Sequence, residues 1–353
     1  MTNYRFTKIL VLVMCLIFVL LMASGCGGTS QEQIDGKTSS SETSEPVNLT
    51  FATMGVGTGM YVYASSITQL IEPVLPEGST IDVVTTSPGG VGAPIVIEEG
   101  KADLCLGNSA PAKWACTEGI LGKPPVTNVA SIVGGLDAPF INVMFTQSFV
   151  NKTGYTTLEE VVENKYPIRI AIKSTGSFGE LACSSVLQAL GIDYKTIESW
   201  GGSVTQTGSD AIVTLLRDGK ADMTIDHLAA GQSATTELCM TTDMFFPQLS
   251  DELINKLVES GWDRTIMPAG TWKGQDKDIK TVGSGQVLLC SKNLPNDIVY
   301  AMTKAICEGK EILASAHNAM SVFDPTIAWQ ESKCGAPLHP GAEQYYKEMG
   351  YMK

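Results

Sequence analysis

Apolar residues in this chain fall into short runs that end in Gly/Ser/Thr loops and alternate with stretches of helical spacing. Leu49 to Met54 reads as a strand closed by Gly55-Val56-Gly57-Thr58-Gly59. Tyr61 to Pro73 then carries Val62, Ile67, Leu70 and Ile71 at helical intervals. Ile81 to Val84 is a second strand, Val91 to Glu99 a short helix stopped by Gly100, and Ala102 to Leu106 a third strand running into Gly107-Asn108-Ser109. Ala112 to Gly119 predicts another short helix. The order then recurs: strand Ile168 to Ile172, loop Ser174-Thr175-Gly176-Ser177, and helix Phe178 to Leu190 stopped by Gly191. A strand near Lys195 to Trp200, a helix Ser209 to Arg217 ended by Gly219, and a strand Ala221 to Ile225 complete the second set. Strands alternating with helices indicate parallel sheets built from βαβ units.

The recurrence has a fixed offset. Gly100-Lys101-Ala102-Asp103 returns as Gly219-Lys220-Ala221-Asp222, and Gly57 in the first loop matches Gly176 in the second, both at 119 residues (219 − 100 and 176 − 57). Two matched features at one offset suggest two similarly built α/β lobes, and a cleft between lobes is where small ligands usually bind. Val129 to Phe145 is apolar and suits a crossing from the first lobe to the second. Gln286 to Cys290 suits the return, and Ile298 to Leu313 and Glu343 to Tyr351 read as closing helices. The expected division is 48–140 plus 283–353 for lobe 1 and 141–282 for lobe 2, joined by two crossings that would act as a hinge.

The chain before residue 48 has a different character. Arg5 and Lys8, an apolar run from Ile9 to Met22 and the small residues Ala23-Ser24-Gly25 predict a signal peptide over 1–25. Cys26 follows at the position of a lipidated cysteine, and 26–47, rich in Ser, Thr, Gly and Glu, is expected to be a flexible tether reaching roughly 25 Å. The protein is thus expected outside the cytoplasmic membrane on a lipid anchor, with no membrane-spanning helix in the mature domain. The net charge of −13 becomes −15 once Arg5 and Lys8 are removed (−13 − 2), which argues against nucleic acid as a partner. Seven cysteines remain beyond Cys15 and Cys26, scattered and without C-x-x-C or nearby His, so neither zinc nor a redox motif is indicated. Most are expected to be small buried hydrophobes. No cofactor is indicated.

Each Gly-rich loop precedes a helix and would offer backbone N–H groups and the positive end of a helix dipole to an anion such as a carboxylate. Thr58, Ser174, Thr175 and Ser177 add hydroxyls. Gly55-x-Gly57-x-Gly59 is not the dinucleotide fingerprint, and no Gly-Lys-Ser/Thr follows either loop. The repeated Gly-Lys-Ala-Asp reads as scaffold with Lys and Asp solvated. The strand ends beyond it, Asn108-Ser109 and Asp226-His227, lie where open α/β sheets place ligands. Asp226 is a candidate for a ligand amine, His227 for an acid group, and Trp200 for an aromatic wall. His227, His317 and His339 are far apart in sequence, and no Gly-x-Ser-x-Gly elbow or H-E-x-x-H occurs, so catalysis has little support.

Met267-Pro268-Ala269-Gly270-Thr271-Trp272, Leu294-Pro295-Asn296-Asp297 and Pro337-Leu338-His339-Pro340-Gly341-Ala342, together with Gly57-Thr58-Gly59, resemble the TAXI family of solute-binding proteins of TRAP transporters. The resemblance implies a two-lobed periplasmic-binding-protein-like fold of type II, with a small organic acid or amino acid in the cleft and delivery to a membrane permease. It places Gly57, Thr58, Gly59 and Tyr61 in the first-lobe site and Ser174, Thr175, Gly176 and Ser177 in the second. Ser87, Gly90, Asn108 and Ser109 line the first-lobe strand ends. The family's Gly-Ser-Asn after the second strand is here Gly89-Gly90-Val91-Gly92-Ala93, and its Gln-Ser-Asp is Asn108-Ser109-Ala110, so glutamate itself does not follow. A receptor presenting solute to a sensor kinase, or an extracellular enzyme, would share the same frame.

Overall fold

The computed structural model describes residues 45–56 and 58–352. The readings of a signal peptide over 1–25, of lipidation at Cys26, of most of the tether, and of Gly57 lie outside these residues. No helix among the described residues is long and apolar enough to cross a membrane.

The first set of elements is β1 (Asn48–Ala52), α1 (Gly59–Ile71), β2 (Thr80–Val84), α2 (Ala93–Glu98), β3 (Leu104–Asn108), α3 (Ser109–Thr117) and β4 (Val129–Val133). Next come β5 (Phe140–Thr146), α4 (Gln147–Thr153), α5 (Leu158–Glu163), β6 (Arg169–Lys173), α6 (Phe178–Ala189), α7 (Tyr194–Ser199), β7 (Ser203–Thr207), α8 (Ser209–Arg217) and β8 (Met223–Leu228). The chain continues through α9 (Ser233–Thr241), β9 (Met244–Phe245), α10 (Asp251–Glu259), β10 (Asp263–Met267), β11 (Ile279–Gly283) and β12 (Gln286–Ser291). It closes with α11 (Asn296–Glu308), α12 (Lys310–Ala316), α13 (Glu331–Cys334) and α14 (Pro340–Glu348).

Two five-stranded sheets result, ordered β2-β1-β3-β12-β4 and β7-β6-β8-β5-β9, with β10-β11 as a separate antiparallel pair. In each sheet only one strand runs against the others: β12 against β3 and β4, β5 against β8 and β9. These are the two strands that follow a crossing between sheets, so the reversal marks where the chain changes lobes. Helices cover both faces of each sheet. In the first, Tyr63, Ile67, Met302, Ile306 and Tyr346 pack on one face and Val96, Ala112 and Ala115 on the other. In the second, Val186, Leu187, Ile254 and Leu257 oppose Ile212, Leu216 and Leu238. The molecule is a two-lobed α/β protein of the periplasmic-binding-protein type.

The 119-residue offset holds at the level of single hydrogen bonds. Gly100 and Gly219 both take left-handed backbone conformations at helix ends, φ +65° and +66°. The following Lys101 and Lys220 donate back to Val96 O and Leu215 O, the six-to-one bond of a glycine-terminated helix. The motif aspartates, expected to be solvated, instead accept backbone hydrogen bonds. Asp103 Oδ2 accepts from Thr50 N at 2.8 Å and Asp222 Oδ2 from Arg169 N at 3.0 Å, pinning the equivalent strands β1 and β6 at residues themselves 119 apart (169 − 50). Asp222 also takes the Arg169 guanidinium through Nε at 2.9 Å and Nη2 at 2.6 Å.

Two expectations change. Lys195 to Ser199 lies in helix α7, with Trp200 after its last turn, and not in a strand, because Asp193 and Thr196 form a reciprocal cap that starts a helix there. The helix expected over 298–313 is broken at Gly309, where an added Cβ would lie 2.6 Å from Leu70 Cδ2. All seven cysteines from Cys105 to Cys334 are free thiols, and all but Cys116 are buried.

Candidate functional site

The chain crosses between sheets twice, over 134–139 and through Ser284-Gly285. The two crossings lie against each other, since a Cβ on Gly285 would come 2.5 Å from Asp137 O and one on Gly283 2.0 Å from Pro139 O. Only glycine permits that approach. Leu136 N donates to Gln286 O, and Gln286 N to Asp137 Oδ1 at 2.7 Å.

Ser284 gathers the strand ends of both lobes. Its carbonyl accepts from Asn108 Nδ2 at 3.2 Å, its hydroxyl lies 3.2 Å from Ser109 Oγ and accepts from Ala110 N, and its N–H donates to His227 Nε2 at 3.2 Å. Asn108 and Ser109 of the first predicted pair and His227 of the second therefore meet at one residue of the return crossing. Sequence reasoning passed over Ser284; its only signal is a hydroxyl between two glycines, Gly283 and Gly285, where the chain turns from one sheet to the other.

The paired loops are equivalent in detail. Thr58 and Ser177, 119 apart (177 − 58), are the N-caps of α1 and α6, and their side-chain oxygens accept from Tyr61 N and Glu180 N, each at 3.2 Å. The Thr58 hydroxyl also donates to Gly55 O at 2.8 Å. These hydroxyls, expected as ligand donors, are thus engaged in capping, and that of Thr58 has its proton committed. The first turns differ sharply in charge. α6 carries Glu180, whose Oε2 accepts from Gly176 N and whose Oε1 accepts from Tyr194 OH, so this helix end already holds a carboxylate. At the equivalent position α1 has Tyr61, half-buried, and no acid in its first turn.

Asp226 lies beside the same end of α6. A Cβ on Gly179 would fall 2.1 Å from Asp226 Oδ1, and Lys173 Nζ is 3.5 Å from Asp226 Oδ2. Burial raises the Asp226 carboxyl to about 6 despite Lys173 and the His227 N–H. Lys173 also meets Ser209 Oγ, and these groups line a small cavity of about 20 Å³ with Thr224, Gln232 and Thr235, room for a single water.

His227 is not a cation for an acid group. Burial lowers its pKa to about 3, and its Nε2 is an acceptor from Ser284, which leaves the proton of the neutral ring on Nδ1. Its ring packs 4.3 Å from Phe178 and 5.6 Å from Trp262, a buried tryptophan stacked on Phe178. Phe178 and Leu181 also pack against a first-lobe core cluster that includes Val91, Ala112 and Ala115, so the start of α6 spans the cleft.

The remaining candidates separate. Gly90 is buried, and its missing side chain makes room for Asn108, whose Oδ1 would lie 1.9 Å from an added Cβ. Ser87 holds the turn after β2, accepting from Gly89 N at 3.2 Å and from the Cys105 thiol at 3.5 Å. Ser109 is fully buried against Ser284. Gly59, Ser174, Thr175 and Gly176 are exposed, and Thr175 Oγ1 donates to Gln206 Oε1 at 3.0 Å. Trp200 does not join them. It precedes β7, whose first residue Ser203 pairs with Arg169, and so stands at the amino edge of the sheet, opposite the loops. Its ring serves the second-lobe core.

A two-lobed α/β frame whose strand ends converge on its own crossing defines the periplasmic-binding-protein-like fold. The chain belongs to the NMT1-like family, whose model matches residues 51–350. Among solved structures it is similar to a TctC solute-binding protein from Polaromonas, at 16% identity over 87% of this chain and 96% of that one, TM-score 0.51. Lower likenesses are to the periplasmic binding protein BugD (14%, 86% and 94%, TM-score 0.42) and to MatC from Rhodopseudomonas palustris with bound malate (13%, 86% and 98%, TM-score 0.44).

Proposed function

We propose that the chain is the extracytoplasmic solute-binding subunit of a TRAP-type secondary transporter, held to the membrane by lipid on Cys26, which captures a small organic acid or amino acid between its lobes and delivers it to the permease. The observation that carries the binding role is the asymmetry of the two helix ends. The end of α1 is capped but holds no acid, whereas the equivalent end of α6 is filled by Glu180 and flanked by Asp226. A ligand carboxylate is therefore favoured on the first lobe by unpaired N–H groups and the helix dipole, and opposed on the second. Lys173, Asp226 and the exposed loop at Ser174 to Ser177 would meet the far end of the solute. Among the described residues no group of three or more His, Cys, Asp or Glu is placed to hold a metal ion.

The test is to give the first lobe the acid that the second already has. Tyr61→Glu places a carboxylate at the third helical position of α1, and Tyr61→Gln supplies the same shape without charge. In thermal-shift and calorimetric titrations with carboxylates and amino acids, Tyr61→Glu should weaken binding at least tenfold relative to Tyr61→Gln. Equal affinities would remove the α1 end from the site. In cells, Cys26→Ala should release the protein from the membrane fraction.

A further inference from the structure

Three polar side chains lie on one face of three adjacent first-lobe strands, near their ends at the crossing. Asn108 ends β3, and Gln286 stands opposite it at the start of β12. Thr53 follows the last residue of β1, still bonded through its N–H to Val84 O. The alternation of each strand puts them on the face of Phe51, Leu106 and Leu288, the face α1 covers. Helix α1 begins at that same end, so the patch underlies its first turn.

Two atoms of this patch are buried without a hydrogen-bond partner among the described residues, Thr53 Oγ1 and Gln286 Oε1, and Thr53 is 1% exposed. Native interiors seldom leave such groups unpaired, and exceptions tend to mark function. The neighbouring groups are already committed: Asn108 Nδ2 to Ser284 O, Tyr63 OH to Asp137 Oδ2, and Asp137 Oδ1 to Gln286 N. Gln286 Oε1 can only accept, so its missing partner must be a donor.

Resting on the reading of α1 as the carboxylate end, we infer that Thr53 and Gln286 determine specificity by taking the hydroxyl or amino group next to the solute's carboxylate. A solute with its carboxylate on the α1 N–H groups turns its 2-substituent toward the sheet beneath. A 2-hydroxy or 2-amino group donates to Gln286 Oε1, and Thr53 Oγ1 serves as its second partner. A plain acid leaves both oxygens unpaired. Both atoms are shielded from solvent here, so the solute reaches them when the lobes turn about the crossings.

Calorimetry on the folded domain with matched acids tests this: alanine, lactate and propionate; aspartate, malate and succinate; glutamate, 2-hydroxyglutarate and glutarate. In the series that binds, the substituted acids should bind at least tenfold tighter than the plain one. Thr53→Val keeps shape and deletes an unpaired hydroxyl, so it should leave the melting temperature unchanged or higher while cutting that affinity about tenfold. Gln286→Met should erase the preference for substituted acids. Equal binding of plain acids, or a Thr53→Val variant that binds as well as the parent, overturns the inference and leaves the carboxylate site standing. If none of the nine acids binds, the carboxylate reading falls and this inference with it.

Discussion

Ser284 has three bonding groups in use, two toward the first lobe and one toward the second. Ser284→Ala would strand the buried Ser109 hydroxyl and the Ala110 N–H. Leaving such groups unpaired costs about 1–3 kcal/mol, and urea denaturation should read a loss of that size. Titration separates three other residues. Burial raises the Asp137 and Asp226 carboxyls to about 6 from 3.8, so the folded state binds protons that the unfolded chain has released. Their penalty is absent below about pH 4 and complete above pH 6, so each makes stability fall as pH rises through that window. His227, lowered to about 3 from 6.5, acts the other way: below pH 6.5 the unfolded chain takes a proton that the fold refuses. Denaturation from pH 4 to 6.5 should therefore show Asp137→Asn and His227→Gln shifting the pH slope in opposite directions, by up to about 1.4 kcal/mol per pH unit each. A common direction would contradict these burial assignments. None of these residues could be weighted from sequence, because the burial that shifts them comes from elements up to 149 positions away, as with Asp137 and Gln286.

At the scale of elements, more was legible. Helix α8 has the expected bounds Ser209 to Arg217, since a glycine precedes it, an apolar stripe runs through it, and Gly219 ends it. The offset of 119 was first visible in Gly-Lys-Ala-Asp and extends to the N-caps and the strand pins. Those equivalences were out of reach because hydroxyls and carboxylates bonding to backbone leave no periodic signal. The strand expected at Lys195 to Trp200 gives way to a helix for a local reason, the reciprocal cap of Asp193 and Thr196, which carries no hydrophobic signal. Trp200 was misplaced because an aromatic beside a strand does not reveal which edge it occupies. Thr58→Ala and Ser177→Ala should each cost about 1 kcal/mol by losing an N-cap. Because that loss occurs with or without solute, unfolding free energies must be measured in both conditions. If the loss grows with solute present, the hydroxyl also serves binding.

For the whole molecule, the alternation of strands and helices announced two α/β lobes; the apolar stretch at 129–145 contains the first passage, while 286–290 is the strand entered after the return at Ser284-Gly285. What the sequence did not reveal is that the return passage is also the meeting point of the candidate site. Gly285→Ala forces a Cβ to within 2.5 Å of Asp137 O and should separate the crossings. Small-angle scattering should then show a larger radius of gyration for the variant, and addition of a binding solute should restore less compaction than in the parent.

The return crossing has only two residues between its strands, Ser284 and Gly285. Few backbone torsions are therefore free to change, and the second crossing is bonded to the same place. Such a joint favours one turn over sliding, so under the proposed binding role every solute that fits should bring the lobes to nearly the same angle. The permease of the proposed transport role, resting on both lobes, would then receive a single message, shut or open, and would learn nothing of which solute lies inside. Selectivity must be settled within the cleft before the partner is engaged.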